Sequence, residues 1–371
     1  MPSVVLAHLS KTMKTSFAIA KASLVASGLT AARTFTLQDG DGAIALLHQV
    51  PSNNTIINGN MRIAQRGTSF AAVASGSYTL DRWQYAKVGT MVHTISQSTD
   101  VPTLAQAGQL FTNSIQLALT TADTSIAADD ALHFSQKIEG FNWAPLAQRG
   151  VIVSFWVKSG LTGIYCLSLR NGGADRSCVQ EFSISAANTW EYKTVTFPAS
   201  PSAGTWDYGT GIGVYLTFSL ASGSNYHTTA GTWQTGNLAA TAAAINGVNT
   251  GAGNFLFTGM QLEAGAIASP FAARSFGAEL ALCQRYYQVI QCGDRMQAAG
   301  ANHFAQTPAP FMARMRAAPT AAITAGTRNN LGAGFPSIDS ITDVGARFTI
   351  QSNAAGDAYA LNDTVALTAE L

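Results

Sequence analysis

Eight acidic side chains, Asp81, Asp123, Asp129, Asp130, Glu139, Glu181, Glu191 and Glu263, are the candidates for acid–base work in this chain. Hydrolysis of a glycan needs two carboxylates held at a set distance across the scissile bond. None of the eight sits in a motif that assigns it such a role, and several fall at expected strand ends or turns. Turn chemistry or strand-edge ion pairing is the reading their contexts favour. The six histidines (His8, His48, His93, His133, His227, His303) match no H-x-x-x-H or H-x-H metal spacing. There is no G-x-S-x-G nucleophile elbow and no phosphate-cradling glycine loop. The four cysteines, Cys166, Cys178, Cys283 and Cys292, include no C-x-x-C pair. Cys166 and Cys178 could lie on adjacent strands, which leaves a disulfide between them open. No catalytic residue, metal ligand or cofactor site is nominated, and the chain is not expected to be an enzyme.

Aromatic side chains are the remaining means of recognition. A Trp or Tyr face can hold a sugar ring through CH–π contact, with polar groups at its rim. Trp143, Trp206, Tyr208, Tyr226 and Trp233 lie in loop-like contexts and are the candidates for glycan binding. Packing between subunits is the other reading of the same residues, because aromatics are enriched at interfaces. Trp83, Trp156 and Trp190 lie in strand patterns and read as core.

These residues need a scaffold, and composition points to its class. The 371 residues are 47% hydrophobic but only 11% charged, against roughly 25% charged in ordinary soluble proteins. Thirty-four glycines and abundant Ala, Ser and Thr suit close-packed β structure with tight turns. So weakly charged an exterior suits a chain that covers part of its surface with copies of itself. The net charge of +1 and the absence of a dense Lys/Arg run exclude the electrostatic footprint of a nucleic-acid binder. No apolar run approaches the roughly 18 residues that cross a membrane. The apolar patch at the N-terminus is interrupted by Lys11, Lys14 and Lys21, so it is expected to belong to a mature protein made in a cytoplasm.

The chain is organised around the stretch from Phe255 to Tyr287. It opens as a strand (Phe255, Phe257, Met260, Leu262) and passes a break at Ser269-Pro270-Phe271. It ends in a short helical pattern over Glu279–Val289. Before it, period-2 runs mark sandwich strands: Val151, Val153, Phe155 and Val157 on one face, then Val195 with Phe197, and Val214, Leu216 and Phe218. Residues 23–47 predict a strand, a turn at Asp39-Gly40-Asp41-Gly42, and a second strand. Residues 221–254 predict a long loop, a length that often marks function. After 278, Pro308, Pro310 and Pro319 divide a small β module, with MARMRAAPTAAIT (312–324) expected to feed a strand and GARFTIQSN (345–353) to form another.

Ordered blocks then carry a resemblance. The run LTAARTFTLQDGDGAIALL resembles a short module of phage tail-fibre proteins. N-G-N-M-R-I-A-Q-R-G-T-S-F followed by Y-T-L-D-R-W is similar to the opening of a domain found in phage and prophage tail-fibre and virion structural proteins. FSQKIEG (134–140), VIVSFWVKSG (151–160), NTWEYKTVTFP (188–198) and FTGMQLEAGAIASPFAARSFGAELALCQRYYQ (257–288) match in order, so the resemblance spans residues 56–288. It implies an all-β fold: a jelly-roll-like antiparallel β-sandwich of the carbohydrate-binding-module form over 51–277. An N-terminal β attachment and trimerisation segment over 1–50 and a short helix with a C-terminal β tip over 278–371 would flank it.

The function implied is that of a virion fibre or spike, made in the host cytoplasm, which binds bacterial surface polysaccharide without turning it over. Its partners would be two further copies in a homotrimer and other virion proteins, met through the N-terminal segment. Neither nucleic acid nor membrane insertion is expected. Analogous modules often carry a structural calcium, but no D-x-D-x-D-G run marks a ligand set here. A purely structural head or collar decoration and, behind it, a glycan depolymerase are the alternatives.

Overall fold

The computed structural model describes residues 54–371; the strand–turn–strand expected over 23–47 and the attachment segment 1–50 lie outside the described residues. Strand is the main regular structure of the described chain. In order it forms β1 (Ser69–Phe70), β2 (Gln84–Val88), β3 (Val92–Ser98), helical turn α1 (Leu104–Ala107), β4 (Ser114–Thr121) and β5 (Ala131–Glu139). Helical turn α2 (Gly140–Trp143), β6 (Val151–Ser159), β7 (Gly163–Asn171), β8 (Arg176–Ile184), β9 (Glu191–Phe197) and β10 (Ile212–Ser222) follow. Then come β11 (Trp233–Thr235), β12 (Phe255–Ala264) and the helix α3 (Phe276–Gln284).

Two six-stranded antiparallel sheets make the sandwich. The first has the order β1-β3-β4-β12-β6-β9 and the second β11-β8-β7-β10-β5-β2. The all-β sandwich expected from the alternating runs is the fold observed. Phe155 and Phe257 from the first sheet meet Phe134 and Phe218 from the second, with Phe218 centred 4.9 Å from both Phe155 and Phe257. Each such ring is fully buried, a contribution of about 1.5–3 kcal/mol apiece from apolar burial.

β12 lies in the middle of its sheet, between β4 and β6, and not at an edge. It and β6 are covered on both faces. Val151, Val153, Phe155 and Val157 point into the core as expected, while Trp156 on the other face packs with Phe111, Trp190 and Leu256. Gly259 makes this double burial possible. Its φ is +62°, the pairing of β12 with β6 shifts between Thr258 and Gln261, and a Cβ there would stand 2.8 Å from the Phe111 ring.

The helix expected over Glu279–Val289 runs instead from Phe276 to Gln284, capped by the Ser275 side chain. Tyr287 already begins a strand. The cause is a polar anchor. Glu279 is buried and accepts from the backbone N–H of Asn58 and from Arg274, so this helix does not turn a purely apolar face inward.

The remaining strands are β13 (Tyr287–Ala298), β14 (Phe304–Pro310), β15 (Thr320–Thr324), β16 (Thr327–Asn329), β17 (Ser337–Asp339), β18 (Gly345–Gln351) and β19 (Gly356–Thr368). They form a sheet in the order β13-β19-β15, with β16 also on β19, and a second sheet in the order β14-β18-β17. Pro308 and Pro310 lie in β14, an edge strand, where a missing N–H costs no ladder bond. This part of the chain is fastened to the sandwich by charge. Glu370 is gripped by Arg82 and Arg66, and Glu139 by Arg285 and Tyr286.

Candidate functional site

The outward face of the second sheet carries an unusual set of side chains. β7 reads GIYCLSLRN, and its alternation sends Tyr165, Leu167 and Leu169 into the core and Cys166, Ser168 and Arg170 outward. Strand pairing sets these outward residues in rows across the sheet. The first row is Ser177, Arg170, Tyr215 and Lys137; the second is Val179, Ser168, Thr217, Ser135 and Gln84. The third is Glu181, Cys166, Ser219, His133 and Ala86. An outward sheet face that meets only water usually bears long charged chains. Here Ser135, Ser168, Ser177, Thr217 and Ser219 put short hydroxyls in every row, and Ser168, Ser177 and Thr217 are fully buried.

What buries them is the long loop between β10 and β12. Residues 223–247 fold back over the upper rows. Tyr226 ends a 3-10 turn and meets His133 edge-on, with ring centres 5.3 Å apart. Thr241 donates to Glu181 and its backbone N–H reaches the Cys166 sulfur. Asn237, itself exposed, accepts from Arg170 Nη1 at 2.7 Å. Burial, reinforced by the nearby Arg170 charge, pushes His133 down to about 3, so its imidazole is neutral. Burial likewise lowers Arg170, against the opposing pull of Tyr215 and Tyr226.

The five aromatic candidates divide. Trp143, Trp206 and Trp233 come together: Trp143 and Trp206 stack at 6.0 Å and 16°, and Trp206 meets Trp233 edge-on at 5.6 Å. They close one end of the core. Trp143 is only 1% exposed, so its expected place in a loop is corrected. It lies in α2, pressed against the strand at Gly213, where a Cβ would stand 2.6 Å from that of Trp143. Trp206 and Trp233 are half-buried, with indole N–H groups bound to Ala203 and Pro198 carbonyls. Tyr208 is exposed, and Tyr226 belongs to the roof of the polar face. Arg170, Tyr215 and Lys137 were not among the sequence candidates. The signal was the parity of β7 and β10, which puts Arg170 and Tyr215 on the non-core face.

Each of the eight acids has a structural partner. Asp81 accepts from Gln65 and is raised by burial against those bonds. Burial raises Asp123 too, but hydrogen bonds from Thr90, Ser125 and Met91 together outweigh it and hold the carboxyl below its usual range. Asp129 accepts from Asn225 and Asp130 from the Ala127 N–H. Glu181 binds Thr241, Glu191 binds Lys193, and Glu263 binds Ser269 and Gln261. Glu139 is held by Arg285 and Tyr286. A concavity of about 930 Å³ lies elsewhere, lined by Phe141, Ile267, Leu282, Arg149, Arg274 and Glu263 among others, and by none of the five aromatics.

Cys166 and Cys178 are on adjacent strands but on opposite faces, one under the loop and the other in the core, and all four thiols are free. The open disulfide is thereby settled against. Among the described residues no group of three or more His, Cys, Asp or Glu could hold a metal ion, and no helix is long and apolar enough to cross a membrane.

No protein-family model matches the chain, and neither does any curated protein. Solved structures similar to it include a family 11 carbohydrate-binding module from Clostridium thermocellum in complex with a β-1,3-1,4-mixed-linked tetrasaccharide. That match has 11% identity and a TM-score of 0.30, covering 54% of this chain and 98% of that one. The CBM22-1 xylan-binding domain from Paenibacillus barcinonensis is similar at 11% identity and a TM-score of 0.26, covering 58% and 97%. Discoidin II of Dictyostelium discoideum is similar at 11% identity and a TM-score of 0.20, covering 74% and 95%. At these scores the likenesses carry no argument about function, and the fold rests on the strand pairing of the chain itself.

Proposed function

We propose that this chain is a non-catalytic adhesion protein of a phage virion fibre or spike, which binds bacterial surface glycan through the outward face of its second sheet. The observation that carries the reading is the composition of that face: three rows of hydroxyl, imidazole, guanidinium and phenol groups, half roofed by a loop that adds Tyr226. Sugars are bound by such mixtures of aromatic surface and short polar groups. The ordered sequence blocks over 56–288 support the virion setting.

In this reading residues 1–50 attach the protein to the particle, 51–277 bind, and 278–371 form a tip. The protein is a homotrimer. Its low charge supports self-association, as do large exposed apolar side chains such as Leu110, Ile267 and Met312. An array of bacterial surface polysaccharides tests the adhesion, with light scattering for the assembly. Retention on at least one polysaccharide and a trimeric mass are expected. No retention on any glycan would return the chain to structural decoration, and release of oligosaccharides would make it a depolymerase.

A further inference from the structure

Arg170 is a buried cation without a counter-ion. It is 9% exposed, and it takes part in none of the ion pairs among the described residues. Its Nη2 donates to Thr217 Oγ1 at 3.0 Å and its Nη1 to the amide oxygen of Asn237 at 2.7 Å. Its Nε is buried with no acceptor, and beside it in the next row the Ser168 hydroxyl is buried and unpaired as well. The one acid on this face, Glu181, stands two rows away and accepts from Thr241. Burying a charge that nothing neutralises is expensive, and two unpaired polar groups side by side add to the cost.

The surroundings suit a particular ligand. A guanidinium fork matches a carboxylate, with two parallel N–H groups meeting two oxygens. The Tyr215 ring lies beside it, 5.3 Å from the guanidinium carbon, and Lys137 Nζ is 5.7 Å from the same ring. Tyr215 is half-buried and carries both cations against its ring, and Lys137 Nζ also donates to the Leu371 carbonyl. The acceptor on Nη1 is the exposed Asn237 amide, a neutral oxygen standing where an anionic one would bind more strongly.

We propose that Arg170 binds the carboxylate of an acidic sugar, of the uronic-acid class. Asn237 moves aside, Ser168 and Thr217 supply further hydrogen bonds, and Tyr215 packs on the ring. The assignment rests on the adhesion reading and narrows it to anionic polysaccharide.

Immobilised hyaluronan, alginate and polygalacturonate test it, each beside its carboxyl-reduced form, with the full chain applied alongside the neutral members of the array. At least one native acid is expected to bind tenfold or more tighter than its reduced form. Arg170→Met should abolish that preference while the melting temperature holds or rises, because an uncompensated charge leaves the interior. Asn237→Ala, which keeps every other contact, should strengthen binding of the acid several-fold. Equal affinity for native and reduced forms, or a preference that survives Arg170→Met, overturns the assignment. If neutral glycans bind and acids do not, the assignment falls and the adhesion reading stands. If no glycan binds, both fall. If Arg170→Met does not fold, Arg170→Gln and Asn237→Ala carry the same comparison.

Discussion

Arg285 grips Glu139 with two nearly parallel bonds, Nε to Oε2 at 2.9 Å and Nη2 to Oε1 at 2.6 Å, and the Tyr286 hydroxyl donates to the same Oε2 at 2.6 Å. Glu139 ends β5 of the sandwich, and its partners sit where α3 hands over to β13. One carboxylate, 1% exposed, therefore fastens the helix and the C-terminal sheets to the sandwich. Glu139→Ala leaves a buried phenol and a partly exposed guanidinium unpaired, and should cost about 2–3 kcal/mol. Urea unfolding measures it. A midpoint unchanged from the parent would mean that the contact is ornamental.

Glu370 plays a parallel part. Its carboxylate faces Arg82, which is 1% exposed, and Arg66, which is 13% exposed. Burial alone would lower Arg82, but Glu370 acting together with Tyr286, Tyr78 and Cys283 outweighs it and the guanidinium stays ionised. Glu370→Ala should cost about 3–5 kcal/mol, because it strands the Arg82 charge. Arg82→Met with Glu370→Leu should cost less than the sum of the two single changes, with a coupling of about 1–3 kcal/mol. A double-mutant cycle gives the number, and strict additivity would contradict the pairing.

The alternation of β6, β10 and β12 made the sandwich legible, because burying one side of a strand imposes a period of two. The outward rows were harder to read. A single Arg in a strand usually means a solvated edge, and only the fold-back of residues 223–247 buries Arg170. That fold-back depends on contacts such as Tyr226 with His133, which lie far apart in the chain. Trp143 was misplaced because FNWAPL, with its proline, looks like a loop; its burial depends on the distant Gly213. The cysteine question turned on register. Cys166 is opposite Glu181 and Cys178 opposite Leu169, so even positions on one strand share a face with odd positions on the other.

Gly259 should tolerate no side chain. Gly259→Ala forces a methyl to 2.8 Å from the Phe111 ring at a φ of +62°. The expected loss is about 2–4 kcal/mol, the sum of backbone strain and overpacking. Phe111→Ala alone opens a cavity and should cost about 3–5 kcal/mol, but in that background Gly259→Ala should add only the strain, about 1–2 kcal/mol. Calorimetry of the three variants checks this, and an alanine that melts with the parent would contradict the packing described.

Acid should weaken the fold before its carboxylates titrate. Burial pushes His93 down to about 4 and His133 to about 3, from an ordinary 6.5. Below 6.5 the unfolded chain takes up protons that the folded chain refuses, so stability is complete above that pH and declines as pH falls toward 4. Down to pH 5.0 each imidazole costs the fold about 2 kcal/mol. Urea midpoints at pH 7.5, 6.5, 5.5 and 5.0 should fall steadily, and His93→Gln with His133→Gln should flatten the slope. A parent whose midpoint stays level to pH 5.0 would contradict the burial of both rings.

The two prolines of β14 have a consequence for how such molecules crowd. A free strand margin invites another chain to zip onto it through alternating donors and acceptors. Pro308 and Pro310 pair with Arg347 and Gly345 on the inner side, so the donors they lack are missing from the outer margin. An incoming strand would find gaps two residues apart, and this rim resists the runaway stitching that turns neighbouring β proteins into fibrils.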